Sequence, residues 1–143
     1  MAVDSGMEFS DLSDLVKEMY RTAEEVYPDQ AKKFLKAEGN KGRRELRKQT
    51  KTVTKKKTEK LLKSIRRSGI QKHDGDFQIR VYNKAHHAHL IEHGHVLWVN
   101  GKKTERFVSG RHPAAEATKV LKQEFPKDAE AFVDELIKEG FEL

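Results

Sequence analysis

The sequence predicts an α+β fold: a long N-terminal helix, a small antiparallel sheet with a hairpin, and two C-terminal helices. Three observations carry that reading. Apolar residues recur at three- and four-residue steps near both ends of the chain, which is helical spacing. Between them, Phe77, Ile79 and Val81 alternate with Gln78, Arg80 and Tyr82, the pattern of a half-buried strand. Asn100-Gly101 then stands between two apolar runs as a two-residue hairpin turn. A length of 143 residues suits one domain, spanning 1–143.

The first helix is read over 9–38. Leu12, Leu15, Val16, Met19, Ala23 and Val26 form its stripe, with Ser10 as N-cap and Asp11 and Asp14 near its positive end. Pro28 should kink or break it, and Gly39-Asn40 should end it. Over 41–57 only Leu46 and Val53 are clearly apolar, so this stretch reads as a basic arm or loop, either an exposed helix or a mobile segment. A core of helix, sheet and helix follows over 58–124. Its opening helix, about Thr58 to Ser68, turns Leu61, Leu62 and Ile65 inward and stops at Gly69.

Asp74-Gly75-Asp76 makes a turn before the strand Phe77–Tyr82. Ala88 to Val99 reads as one or two strands interrupted at Gly94, and Leu97–Val99 pairs back on the stretch around Glu105–Val108. Pro113 opens a helix that runs to about Glu124. Pro126 starts a last one over 126–140, striped by Ala129, Phe132, Val133, Leu136 and Ile137.

Composition narrows the function classes. Cysteine is absent, which excludes disulfides and thiolate chemistry. No apolar run approaches the ~20 residues of a membrane span, and the N-terminus lacks a basic-then-apolar secretion signal. The expectation is a protein made in a cytoplasm, with no membrane partner. Net charge is +6, but Lys41 to Lys72 holds fourteen Lys or Arg against Glu45 and Glu59, so the rest of the chain is acidic on balance.

Six of the seven histidines lie in His86–His112. On a straight strand His87, His89, His93 and His95 would share a face, and neutral imidazole is a common metal ligand. A polar strand face or a subunit contact explains the same residues, there is no HExxH motif, and no metal or other cofactor is expected. Glu92 beside His93 should diverge from it on a strand, and no nucleophile, phosphate loop or oxyanion device accompanies them. The chain is therefore not read as an enzyme.

Two binding features remain. The dense cations Arg43, Arg44, Arg47, Lys48, Lys51, Lys55, Lys56 and Lys57 suit phosphates in any sequence or an acidic protein partner. No aromatic residue is interleaved with them for base stacking. Trp98, near the hairpin tip, is either core or an interface anchor, core being the commoner fate of such a residue.

The ordered segments AHLIEHGH and VNGKKTERFVSGRHPAAEA resemble a family of tailed-phage neck proteins, described as tail components, minor tail proteins or tail-completion proteins. The matching positions are Ala88, His89, Leu90, Glu92, Gly94 and His95, then Gly110, Arg111, His112, Pro113 and Ala117, with Leu61-Leu62-Lys63-Ser64-Ile65 as a Leu-x-x-Ser-Ile step. Thr58-Glu59-Lys60 replaces the family's usual Pro-x-x-Thr-Gly, and His93 replaces its usual aromatic. The resemblance implies a structural virion protein at the head–tail junction of a long-tailed phage or prophage. Such a protein would act as a homo-oligomeric ring, with head–tail connector proteins and tail tube or tail terminator proteins as partners. Under it, His89, Glu92, Gly94, His95, Trp98, Arg111 and His112 are expected to set architecture or make contacts. The basic stretch would dock on an acidic neighbour, so deleting Lys41–Lys57 is expected to abolish assembly and spare the fold. The alternative is a small basic nucleic-acid-binding protein using 41–72.

Overall fold

The computed structural model describes residues 2–3, 13–54 and 59–143. A short strand, β1 (Ala2–Val3), precedes helices α1 (Asp14–Val26) and α2 (Pro28–Val53). Helix α3 (Glu59–Lys63) leads into strands β2 (Ile65–Arg67), β3 (Gln71–His73), β4 (Asp76–Gln78) and β5 (Val81–Asn83). Then come α4 (Ala88–His93), β6 (Gly94–Val99), β7 (Lys102–Ser109) and α5 (Pro113–Lys138). The class is α+β, as the sequence predicts.

Pro28 does break the N-terminal helix, becoming the first residue of α2. Ser13 caps α1 by accepting from the Val16 N–H, while Ser10, Asp11 and Leu12 lie outside the described residues.

The expected stop at Gly39-Asn40 is not made. Helix α2 runs on to Val53, so 41–53 takes the helical alternative with its cations exposed, but as part of a longer helix with a buried face and not as an arm or loop; residues 55–57 lie outside the described residues. Counting only large apolar residues hid its buried face, which is Ala31, Leu35, Gly39, Gly42, Leu46 and Thr50 at helical steps. The glycines serve closeness here. A Cβ on Gly39 would stand 2.7 Å from Ile79 Cδ1 and 2.9 Å from Arg67 Cδ, and one on Gly42 3.2 Å from Val81 Cγ2. Thr50 hides its hydroxyl by donating to the Leu46 carbonyl at 2.7 Å.

The two expected C-terminal helices are one. Pro126 lies inside α5 and frees only the carbonyl of Lys122, an exposed residue that water can serve. Leu121 and Phe125 before it and Ala129, Val133 and Leu136 after it are buried on one stripe, and that shared packing outweighs the break. Helix α5 lies antiparallel along α2. Phe34 stacks on Phe132 at 4.6 Å with Tyr20 of α1 edge-on to both, and farther along Leu46 meets Ala114, Ala117 and Ile65.

Two other assignments change. The helix read to Ser68 ends at Lys63, and Ile65, although inward as expected, is so from a strand paired with Asn83. Strand Phe77–Tyr82 is split. β2 pairs with β5 and β3 with β4, the register slipping by one residue between the two pairs, and β1 adds to β5. Asp74 and Gly75, both at positive φ, form the turn.

Candidate functional site: an anchored hairpin

The stretch Ala88–His93, read as strand, is helix α4, and this removes the geometric premise of the histidine face. His89 and His93 are exposed on α4 while His95 lies half-buried on β6 with its Nδ1 enclosed and without a hydrogen-bond partner. Among the described residues no three His, Asp or Glu side chains converge as a metal would require.

Glu92 is 5 % exposed, and its carboxylate is spent on backbone. Its Oε2 accepts from the Ala114 N–H at 2.8 Å and its Oε1 from the Ala115 N–H at 3.1 Å. These are orphan donors in the first turn of α5, where a negative charge also meets the positive helix end. The cap residue itself cannot serve. His112 sits in the left-handed region at φ 53 and makes no side-chain cap bond.

Four segments meet around this cap. The Arg111 N–H donates to the Ile91 carbonyl at 2.8 Å, and the Arg111 guanidinium donates to the Val53 carbonyl at the end of α2. Gly94, at φ 87, lets α4 turn directly into β6, and a Cβ there would lie 2.5 Å from the Val108 carbonyl oxygen. Gly110 faces it across the same contact: its Cβ would lie 2.4 Å from the Glu92 carbonyl oxygen. Glu92, Gly94, Arg111 and His112 are thus brought together, and His89, His95 and Trp98 are not part of this knot. Gly110 belongs to it as much as Gly94 does, although the sequence marks it only as a position of the motif.

What the knot holds is the hairpin β6–β7. Asn100 (φ 49) and Gly101 (φ 77) make its turn, Val99 pairs with Lys102, and Val96 pairs with Phe107. Trp98 and Val99 therefore pair with Lys103 and Lys102 and not with the expected Glu105–Val108, of which Phe107 and Val108 pair nearer the base with Val96 and His95. The register is irregular between Val96 and Trp98, where the Thr104 hydroxyl donates to the Leu97 carbonyl at 2.6 Å. Apart from its base at α4, no described helix packs extensively on this ribbon. Trp98 is 61 % exposed, Phe107 62 % and Val99 50 %, so the core placement favoured for Trp98 is corrected to the surface. Trp98 and Val99 are consecutive on β6 and so face opposite sides of the ribbon, while Phe107 stands nearer its base, opposite Val96.

A polar cluster joins α2 to α5. Lys41 Nζ lies 2.6 Å from Glu124 Oε2 and 2.7 Å from Asp128 Oδ2. Burial, then a hydrogen bond to Asp128 and the charges of Asp128 and Glu124, push the half-buried Glu38 carboxyl up to about 8. Lys41 works against this rise but does not cancel it. The folded chain keeps a proton on Glu38 that the unfolded chain loses above its ordinary value of 4.5, so stability falls as pH rises from there to about 8. Glu38→Gln is expected to flatten that slope. Its melting temperature should match the parent near pH 5 and exceed it at pH 8, by about 1 kcal/mol in stability after allowing for solvent screening. Equal slopes in thermal melts across that range would contradict this origin.

The cations Arg43, Arg44, Arg47, Lys48 and Lys51 are all exposed along α2, opposite its buried stripe. Lys55, Lys56 and Lys57 lie outside the described residues. No described helix is long and apolar enough to cross a membrane.

A family described as "Bacteriophage HK97-gp10, putative tail-component" (HK97-gp10_like) matches the chain over residues 13–94, from α1 to the first residue of β6. No curated protein and no solved structure matches it.

Proposed function

This chain belongs to the HK97-gp10-like family of bacteriophage tail components, and from that premise we propose that it is a structural virion protein of the head–tail junction. It completes the tail and docks it to the connector by protein–protein contacts, without catalysis. Its partners are further copies of itself in a ring, head–tail connector proteins, and tail tube or tail terminator proteins.

The observation that carries the docking role is the hairpin, where Trp98, Val99 and Phe107 stand exposed on a ribbon whose base is locked by Glu92, Gly94 and Gly110. An exposed side chain on an anchored hairpin loses little entropy on binding, and a large aromatic such as Trp98 is the residue type that dominates protein interfaces. Trp98→Ser should leave the melting temperature near the parent's, because the side chain packs mainly against solvent. Its incorporation into phage particles should drop about a hundredfold, the loss expected of an interface anchor. Parent-level incorporation of a folded Trp98→Ser chain would overturn the docking role.

The exposed cations of α2 support one second reading, nonspecific binding to duplex DNA near the junction. That binding would weaken steeply with added salt and tolerate Lys-for-Arg exchange. Deleting Lys41–Lys57 does not test either reading, since it removes Gly42, Leu46 and Thr50 from the core.

A further inference from the structure

We propose that copies of this chain associate head to tail, with the cationic ridge of α2 on one copy seated against the acidic C-terminal end of α5 on the next. The inference rests on the reading of the chain as a self-assembling junction protein and names the two surfaces that assemble.

Both surfaces follow from the helix pair. From Arg43 to Val53 the chain carries five basic side chains, all exposed, and one acid, Glu45, whose carboxylate accepts from Gln49 Nε2 at 2.9 Å. From Glu130 onward it carries Glu130, Asp134, Glu135, Glu139 and Glu142, all exposed, against Lys138. The antiparallel packing of α2 on α5, with Phe34 level with Phe132 and Leu46 level with Ala117, sends these two charges to opposite ends of the molecule.

Distance decides what those charges can reach. Arg47 lies thirteen residues beyond Phe34 on α2, about 20 Å at the rise of a helix. Screening in physiological salt acts over about 8 Å. The ridge and the acidic end therefore do little for each other within one chain, and only a neighbour brings them into contact. Duplex DNA would match the ridge and repel the acidic end, whereas a second copy uses both. The two patches are different surfaces, so the contact is heterologous, and each added copy presents a fresh ridge and a fresh end, the geometry of a ring or a filament.

The experiment is a charge exchange on the full chain, read as mass by sedimentation at low and moderate salt. The ridge variant is Arg43→Glu/Arg44→Glu/Arg47→Glu, and the end variant is Glu130→Lys/Asp134→Lys/Glu135→Lys. All six positions are exposed, and circular dichroism is the check that each variant keeps the parent's helix content. The parent is expected to form a multimer that dissociates as salt rises, and each variant alone to stay at the single-chain mass. An equimolar mixture should recover the multimer by alternating the two.

Association of the ridge variant at the parent's strength would overturn the proposal, as would a mixture that stays monomeric. A monomeric parent whose ridge binds a short duplex would overturn it too, and would assign the ridge to DNA. The charge exchange reports on self-association whether or not the chain enters a phage particle. Failure of the junction reading shows separately, in the incorporation of Trp98→Ser.

Discussion

Glu92→Ala is expected to lower the unfolding free energy by about 3 kcal/mol, a drop of roughly 10 °C in melting temperature for a chain of this size. Three losses add up. The charge-assisted bonds to the Ala114 and Ala115 N–H groups disappear, and Ala114 is itself buried, so its donor cannot turn to water. The favourable charge at the positive end of α5 goes with them. The vacated volume borders a small cavity lined by Leu46, Leu61, Ile91 and Pro113, which cannot readily collapse onto it. Glu92→Gln keeps one acceptor and most of the volume, and should cost about half as much. Denaturant unfolding of the three proteins checks the order. A Glu92→Ala chain within 0.5 kcal/mol of the parent, roughly the scatter of a neutral surface change, would show that α5 is capped in some other way.

Gly110→Ala is expected to cost more, about 4 kcal/mol or outright loss of the folded state. The added Cβ would meet the Glu92 carbonyl oxygen at 2.4 Å, the His93 carbonyl carbon at 2.7 Å and the Gly94 nitrogen at 2.8 Å. All three are backbone atoms, so no rotamer change relieves the contact, and the hairpin base must part from α4. Gly94→Ala meets a similar wall and adds a left-handed φ of 87. Gly101→Ala is the control. It too sits at positive φ, but with open space around its Cβ, so its cost is conformational alone, about 1 kcal/mol. Expression and thermal melts of the three variants separate clash from strain. A Gly110→Ala chain no less stable than Gly101→Ala would refute the close approach.

Both predictions concern residues whose chemistry was only half visible in the sequence. Gly94 and Gly110 stand sixteen residues apart, and nothing local indicates that their backbones touch. Glu92 left one usable signal. A helix opened by His112-Pro113 lacks a Ser, Thr, Asp or Asn at its cap position, so its first amides need a carboxylate from elsewhere. The histidines misled because evenness of spacing means a shared face only on a strand, and Ala88–His93 is a helix. Trp98 could not be placed by type alone, since the same ring serves a core or an interface.

The sequence by itself determined the features that a few neighbouring residues control. These are the α+β class, the break at Pro28, the Asn100-Gly101 hairpin, the charge asymmetry and membership of the phage tail-component family, which matches residues 13–94. Only the tertiary structure decided that α2 passes through Gly39, that α5 passes through Pro126, that Ile65 joins a strand, and that Glu92 caps a helix twenty-two residues away. The reason is one of magnitude. An interior glycine costs a helix about 1 kcal/mol and a proline about 3 kcal/mol. A stripe of buried side chains on both sides of the break outweighs either, and those side chains find their partners only once distant parts of the chain have met.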